Sequence, residues 1–136
     1  MEREINFQSD SKKSGDEFEL LVEKDLISRG FSKIQKDYYI DNTGCEVDFL
    51  AQGWGAGIEY VEAKGGKEGN SKRPGATRTD NVKKAIANGA LIKAELDDIY
   101  YVVYFSAKPE LNSYSDEMIK LALKNKIINE VRYLLV

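Results

Sequence analysis

The sequence contains no histidine and only one cysteine among its 136 residues. Without histidine, the chain cannot use Ser-His-Asp or Cys-His nucleophilic schemes, a histidine general base, or a zinc ion ligated by histidine. The single cysteine, Cys45, permits neither an internal disulfide nor a cysteine-based zinc cluster. Any catalysis therefore depends on carboxylates, lysines, tyrosines or a hard metal ion that is bound through oxygen.

Long apolar segments are also missing. No run approaches the roughly 20 residues that are needed to cross a bilayer, and residues 1–13 are polar and lack the apolar core of a signal peptide. We therefore expect a cytoplasmic protein that makes no contact with a membrane. Residues 1–13 are expected to form a flexible lead-in, and residues 14–136 a single domain with one sizeable hydrophobic core.

An overall excess of positive charge is absent, since the formal net charge is -3. Between Lys64 and Lys84, however, seven basic residues accompany only two acidic ones, which is a local excess of five positive charges. A local basic surface can bind phosphate groups while the rest of the chain stays acidic. The alternative interpretation of these charges is a solvated loop and helix face.

Apolar spacing and turn residues predict the element order α-β-β-β-α-β-α-β. Helices are predicted over 14–29 with Ser14 as the cap, from Thr79 or Asp80 to about 94, and from Ser113 or Ser115 to about 126. Strands are predicted within 31–40, ending near 38–40, and over 45–51, 58–64, 99–105 and 131–136, and the fourth of them is expected to be buried on both faces. Three meandering strands followed by crossover helices imply an α/β fold with one mixed sheet that helices flank.

Two acidic residues and a lysine on neighbouring strands form the central candidate site. Because side chains alternate along a strand, Asp48 lies on one face of the second strand, and Val47 and Phe49 share the other face, which we assign to the core. On the third strand Glu62 and Lys64 share a face. If the two strands pair as a hairpin, the carboxylates and the ammonium group converge at one end of the sheet.

This set of side chains favours metal-dependent chemistry. Two carboxylates that are held close together are costly to ionise unless a cation lies between them. Mg²⁺ or Mn²⁺ supplies such a cation, can polarise a phosphoryl oxygen and lowers the pKa of a bound water. Lys64 would orient that water and stabilise the charge of the transition state. The alternative is an ordinary sheet face on which acids and a lysine form cross-strand ion pairs.

The arrangement of Asp48, a turn, and then Glu62-Ala63-Lys64 resembles the D…(D/E)xK signature of the PD-(D/E)xK, or restriction-endonuclease-like, nuclease superfamily. The element order over about 14–136 also resembles the core of that superfamily, in which a helix precedes the signature hairpin. Val47 stands where the signature has proline. The resemblance implies a restriction-endonuclease-like fold and a metal-dependent nuclease, with endonucleolytic cleavage of DNA as the expected activity.

The resemblance also implies a role for each site residue. Asp48 and Glu62 would bind Mg²⁺ or Mn²⁺, the backbone carbonyl of Ala63 would also reach the ion, and Lys64 would position the water. Members of the superfamily often carry a further acidic residue on the first helix. Glu19, in the segment 15–19, is our choice for that extra catalytic and metal-binding carboxylate.

The polar segment 65–78 follows the candidate catalytic strand and has no apolar anchor, a composition that is typical of a functional or disordered loop. Basic residues of this segment and of the next helix are expected to bind the phosphate backbone of DNA: Lys67, Lys72, Arg73, Arg78, Lys83 and Lys84. A homodimer would supply two active sites for the two strands of a duplex or branched DNA. Two other hypotheses stay open: a nucleic-acid-binding module of the same fold with little or no catalysis, and an enzyme or interaction protein unrelated to nucleic acid.

Overall fold

A computed structural model of the chain describes residues 2–65 and 75–135, with side chains from residue 15 onward. Its helices and strands are α1 (Glu2–Ser28), β1 (Lys33–Ile40), β2 (Cys45–Gly53), β3 (Gly57–Lys64), α2 (Thr79–Glu95), β4 (Tyr101–Phe105), α3 (Tyr114–Lys124) and β5 (Glu130–Tyr133). A short 3₁₀ turn at Gly75–Thr77 precedes α2. Apart from that turn, the order agrees with the expected α-β-β-β-α-β-α-β.

The five strands form one mixed sheet in which spatial order follows chain order. β1, β2 and β3 pair antiparallel, whereas β3, β4 and β5 pair parallel. The parallel pairs require crossover connections, which α2 and α3 supply. Both crossovers move in the same direction across the sheet, so α2 and α3 pack on one face, and α1 covers the other. The predicted α/β fold with a mixed sheet between helices is confirmed.

Strand β4 contributes residues to both hydrophobic cores, and all five of its residues are buried. Tyr101, Val103 and Phe105 pack with residues of α2 and α3 on one face. Val102 and Tyr104 pack with residues of α1 on the opposite face. The predicted strand that is buried on both sides is therefore confirmed, and it joins the two layers of helices.

The helix ends differ in part from the sequence prediction. Helix α1 begins at Glu2, so Ser14 lies inside the helix and is not its N-cap; the polar residues 2–13 lack the apolar periodicity that marked the rest of this helix. Arg78 is the N-cap residue of α2, one position before the expected start. Ser113 caps α3 as predicted, and its side chain accepts a hydrogen bond from the backbone N–H of Asp116 at 3.2 Å.

The flexibility of residues 1–13 stays a prediction. No helix in the described part of the chain is both long and apolar enough to cross a membrane.

The alternation of buried side chains along β2 changes side at Asp48. Val47 packs in the core beneath α2 and α3, whereas Phe49 packs in the core beneath α1. The expectation that these two side chains share a face is therefore wrong, although both are buried. Opposite Asp48 in the β1–β2 register, Asp37 has a φ of 52°. This left-handed conformation interrupts the extended backbone on which strict alternation depends.

Candidate active site

The β2–β3 ladder stops where the candidate site begins. Phe49 and Val61 form the last registered pair. Beyond them, Oδ2 of Asp48 accepts a hydrogen bond from the backbone N–H of Ala63 at 2.7 Å. Since Ala63 lies between Glu62 and Lys64, this contact joins the aspartate to the E-A-K segment and brings together the three residues on which the sequence prediction centred.

The carboxylate of Glu62 is buried, and the positive charge near it balances its negative charge only in part. Its side chain points toward the α2 face, is only 3% exposed, and accepts a hydrogen bond at Oε2 from Nδ2 of Asn88 at 3.3 Å. Nζ of Lys64 lies 3.7 Å from the same oxygen. The pKa of Glu62 is raised to about 7; burial is the main cause and the charge of Asp48 contributes, while Lys64 and Asn88 oppose the rise without cancelling it.

Glu19 reaches the same site from α1. The pKa of Glu19 is raised to about 7, mainly by burial, with further contributions from a hydrogen bond with Asp48 and from the negative charges of Asp48, Asp37 and Asp16. A hydrogen bond between two carboxyl groups requires a proton on one of them. Glu19 therefore holds a proton against Asp48 up to near-neutral pH, and the site favours extra positive charge.

Glycine at position 65 allows α1 to approach the end of β3. A Cβ atom on Gly65 would lie 2.7 Å from the side chain of Phe18, far closer than a normal contact. Phe18 directly precedes Glu19, and Gly65 directly follows Lys64. A larger residue at 65 would therefore push apart the two elements that carry these charged groups.

The donor atoms of the cluster fit a hard divalent ion such as Mg²⁺ or Mn²⁺, because Asp48, Glu19 and Glu62 offer only carboxylate oxygens. In the conformation described, however, no three acidic or cysteine side chains outside 66–74 and the chain ends are arranged to hold an ion. Asp48 is engaged by Glu19 and by Ala63, while Glu62 turns to Asn88 and Lys64. Binding an ion would require loss of the proton between Glu19 and Asp48 and reorientation of these two carboxyl groups.

Three residues of the predicted basic surface, Arg78, Lys83 and Lys84, lie at the start of α2, near the same end of the sheet. The backbone N–H of Ser106 donates to the carbonyl of Lys64 at 3.2 Å, and the N–H of Ala76 donates to the carbonyl of Ala107 at 3.1 Å. These bonds bring the end of β3, the end of β4 and the start of α2 together. Lys83 and Lys84 are exposed on α2, and Arg78 lies 3.9 Å from Asp80 in an exposed ion pair. Lys67, Lys72 and Arg73 lie outside the described residues.

A concave region lies at the opposite end of β2 from Asp48. A cavity of about 420 Å³ at the β2–β3 turn is lined by Ser32, Lys33, Gln52, Gly53, Trp54, Gly57 and Ile58. None of these residues is acidic, and Trp54 is fully exposed. This cavity therefore lacks the groups that hydrolysis would need, and the chemistry of the molecule concentrates around Asp48.

Sequence reasoning did not identify Asn88 as a member of the site. Asn88 lies on α2 beside Gly89, near the buried residues Ala85 and Ile92. The sequence feature that could have identified Asn88 is an amide among small and apolar residues on the inward face of a helix, because a buried polar side chain needs a partner. The identity of that partner, Glu62, depends on how α2 packs on the sheet.

No protein-family model matches the sequence, and comparison with curated proteins and with solved structures gives no match. The arrangement of side chains and the resemblance of the signature are therefore the grounds for assigning a function.

Proposed function

We propose that the chain is a metal-dependent nuclease of the PD-(D/E)xK superfamily, with a restriction-endonuclease-like fold, that acts as an endonuclease on DNA. The observation that carries the proposal is the 2.7 Å hydrogen bond between Asp48 and the backbone of Ala63. It joins the signature aspartate to the segment that holds Glu62 and Lys64. Glu19 adds a carboxyl group from the first helix, where the resemblance implies one.

In the proposed mechanism, Asp48, Glu62 and Glu19 would hold Mg²⁺ or Mn²⁺, and the resemblance adds the carbonyl of Ala63 to these ligands. The bound ion supplies polarisation of the scissile phosphate and a lowered pKa for the attacking water. Lys64, which is largely buried beside Glu62, orients that water and stabilises the negative charge that develops on the phosphoryl oxygens. Glu62 and Glu19 must be ionised to act as ligands, so their raised pKa values couple ion binding to proton release.

Basic residues around the site bind the phosphate backbone in this proposal. Arg78, Lys83 and Lys84 start this surface at the end of the sheet that carries Lys64. Lys67, Lys72 and Arg73 are further basic residues in the sequence between β3 and α2, and we propose that they bind phosphates too. We further propose that the protein acts in the cytoplasm and forms a homodimer on duplex or branched DNA, because one site cleaves one strand.

A nucleic-acid-binding module with weak or no catalysis is the second candidate. The observation that favours it is the absence, outside 66–74 and the chain ends, of three acidic or cysteine side chains arranged to hold an ion. In that case Glu19 and Asp48 would form one fixed hydrogen-bonded pair, Glu62, Lys64 and Asn88 would form another fixed group, and the basic surface alone would serve binding.

Cleavage assays separate the two candidates. Supercoiled plasmid, branched DNA, single-stranded DNA and RNA are incubated with the protein in Mg²⁺ or Mn²⁺. Asp48→Ala and Lys64→Ala are expected to lose about 100-fold or more in rate, the order that follows from removing one transition-state partner. Lys124→Ala is the matched control, since Lys124 is an exposed lysine on α3.

Circular dichroism confirms that each variant is folded. Equal cleavage by wild type and by both variants would refute the catalytic assignment. DNA binding without any cleavage would favour the binding module.

A further inference from the structure

The Asn88 side chain links two strands that carry the candidate site. Its Nδ2 donates to Oε2 of Glu62 at 3.3 Å, and its Oδ1 accepts from Sγ of Cys45 at 3.7 Å. An asparagine amide has one donor end and one acceptor end. An ionised Glu62 carboxylate can only accept, so the NH₂ group of the amide faces Glu62 and Oδ1 faces Cys45, whose single S–H also lies 3.6 Å from the carbonyl oxygen of Thr43.

The position of Asn88 depends on a close approach of α2 to the sheet. A Cβ atom on Gly89 would lie 2.6 Å from the carbonyl oxygen of Ile127 and 2.8 Å from the ring of Tyr101. The hydroxyl of Tyr101 donates to the carbonyl of Ala85 on α2 at 2.9 Å. Glycine at 89 and this hydrogen bond seat the helix against β4, so that the adjacent Asn88 reaches β3.

Asn88 and Lys64 both contact Oε2 of Glu62, but Asn88 is a neutral donor and Lys64 is a cation. The ammonium of Lys64 is on the strand of Glu62 itself and is partly exposed, whereas the amide of Asn88 comes from α2. An amide donor carries no net charge, so it can fix the orientation of a carboxylate without competing with a cation for it. Its hydrogen bond also favours the ionised form of Glu62.

We propose that Asn88 is a positioning residue that fixes Glu62 as a ligand for the divalent ion. The inference rests on the proposed nuclease function, since it assigns Asn88 a task at that same site. Asn88 contacts neither substrate nor ion in this assignment, and it acts through the Glu62 carboxylate. Partners of this kind, one contact away from a metal ion, typically change metal affinity or activity by about 10- to 100-fold.

The test compares Asn88→Leu, which keeps the branched shape of the side chain and removes the amide, with Asn88→Gln, which keeps an amide. Mn²⁺ affinity is measured by isothermal titration calorimetry, and turnover and KM are measured on the DNA that the wild type cleaves. Asn88→Leu is expected to weaken Mn²⁺ binding and lower kcat by about 10- to 100-fold with KM for DNA unchanged. Asn88→Gln is expected to recover part of both losses.

Asn125→Ala serves as the control, because Asn125 also donates one side-chain hydrogen bond, to the carbonyl of Leu121, on a different helix. It is expected to bind Mn²⁺ and turn over DNA as the wild type does. If Asn88→Leu does not fold, Asn88→Ala and Asn88→Gln are compared in the same way. A wild type that cleaves DNA, together with a folded Asn88→Leu or Asn88→Ala variant of unchanged Mn²⁺ affinity and kcat, would overturn this inference alone. A wild type that neither cleaves nucleic acid nor binds Mn²⁺ would overturn the proposed function and this inference together.

Discussion

Two groups of buried carboxylates in one small fold differ sharply in how their charge is balanced. Glu59 is 7% exposed and Glu62, three residues later on β3, is 3% exposed. Glu59 receives two hydrogen bonds from the guanidinium of Arg132, at 2.8 and 2.7 Å. Glu62 has only an amide at 3.3 Å and the Lys64 ammonium at 3.7 Å. Burial is similar, so the difference lies in the positive charge that the fold supplies.

The carboxylates around each site respond accordingly. Near Arg132, the hydrogen bond from the guanidinium is the main cause of a lowered pKa for Glu130. Burial raises the pKa of Asp25, but hydrogen bonds from Tyr104 and Arg29 outweigh it and leave a lowered value. At the candidate active site Glu19 and Glu62 both rise to about 7. The guanidinium of Arg132 balances the negative charge of the carboxylates around it, whereas the carboxylates at the candidate active site favour a further cation. This contrast separates a stabilising network from a candidate catalytic one.

Replacement of Arg132 is expected to have the largest effect on stability. Arg132→Leu would leave Glu59 buried without its partner and also remove a donor to Tyr104. Losing one member of a buried ion pair costs about 3–5 kcal/mol in the free energy of unfolding. Urea denaturation measures this change. The double variant Glu59→Leu/Arg132→Leu should be more stable than the single variant, because it leaves no buried charge unpaired.

A single variant within about 1 kcal/mol of the wild type would mean that water or another group replaces the guanidinium. Glu59 would then be no better balanced than Glu62, and the contrast between the two groups would fail.

Replacement of Glu62 is expected to increase the stability of the protein at neutral and higher pH, whereas replacement of Arg132 decreases it. The folded protein raises the pKa of Glu62 from 4.5 to about 7, so it binds a proton more tightly than the unfolded chain does. The stability that this proton contributes is complete below about pH 4.5 and is lost as pH rises through about 7. Glu62→Gln does not ionise and should therefore exceed the metal-free wild type in stability, by up to about 3 kcal/mol at pH 8.

Unfolding curves in EDTA between pH 5.5 and 8 measure that difference, which should grow with pH. Glu117→Gln is the matched control on an exposed site of α3, and its difference from the wild type should stay small across the range. Glu62→Gln should also abolish cleavage, since an amide is a poor ligand for the ion. A stability difference that does not change with pH would show that Glu62 is as well balanced as Glu59.

The sequence was sufficient to predict the features that depend on neighbouring residues. Turn residues at 41–44 and the apolar spacing of the strands predicted the hairpin and the order of the elements. The run at 99–105 predicted the buried strand β4. The spacing of Asp48, Glu62 and Lys64 across one hairpin also predicted that these three residues meet. In each case the residues that determine the feature are close in the sequence or lie on strands that a single turn connects.

The features that escaped prediction depend on packing between distant segments. Arg132 and Glu59 are 73 positions apart, and Asn88 and Glu62 are 26 apart, so no local pattern links them. The change of side at Asp48 lies between the registered pairs Lys36–Phe49 and Tyr38–Val47, where Asp37 on the neighbouring strand has a left-handed conformation. Aspartate tolerates a left-handed conformation but does not require it, so the sequence alone gives no reason to expect the switch there.

The smallest expected effect concerns the exposed lysines, which should influence binding without altering either buried group. Lys83→Ala/Lys84→Ala removes two exposed charges from α2. If both contact phosphates, the slope of log affinity against log salt should become less steep by about two, and affinity for duplex DNA should fall by about 10-fold. Fluorescence anisotropy over a salt series measures both quantities. Lys120→Ala/Lys124→Ala on α3 removes the same amount of charge away from the proposed phosphate contacts and should leave the slope unchanged. This control therefore separates a general loss of positive charge from a loss of phosphate contacts.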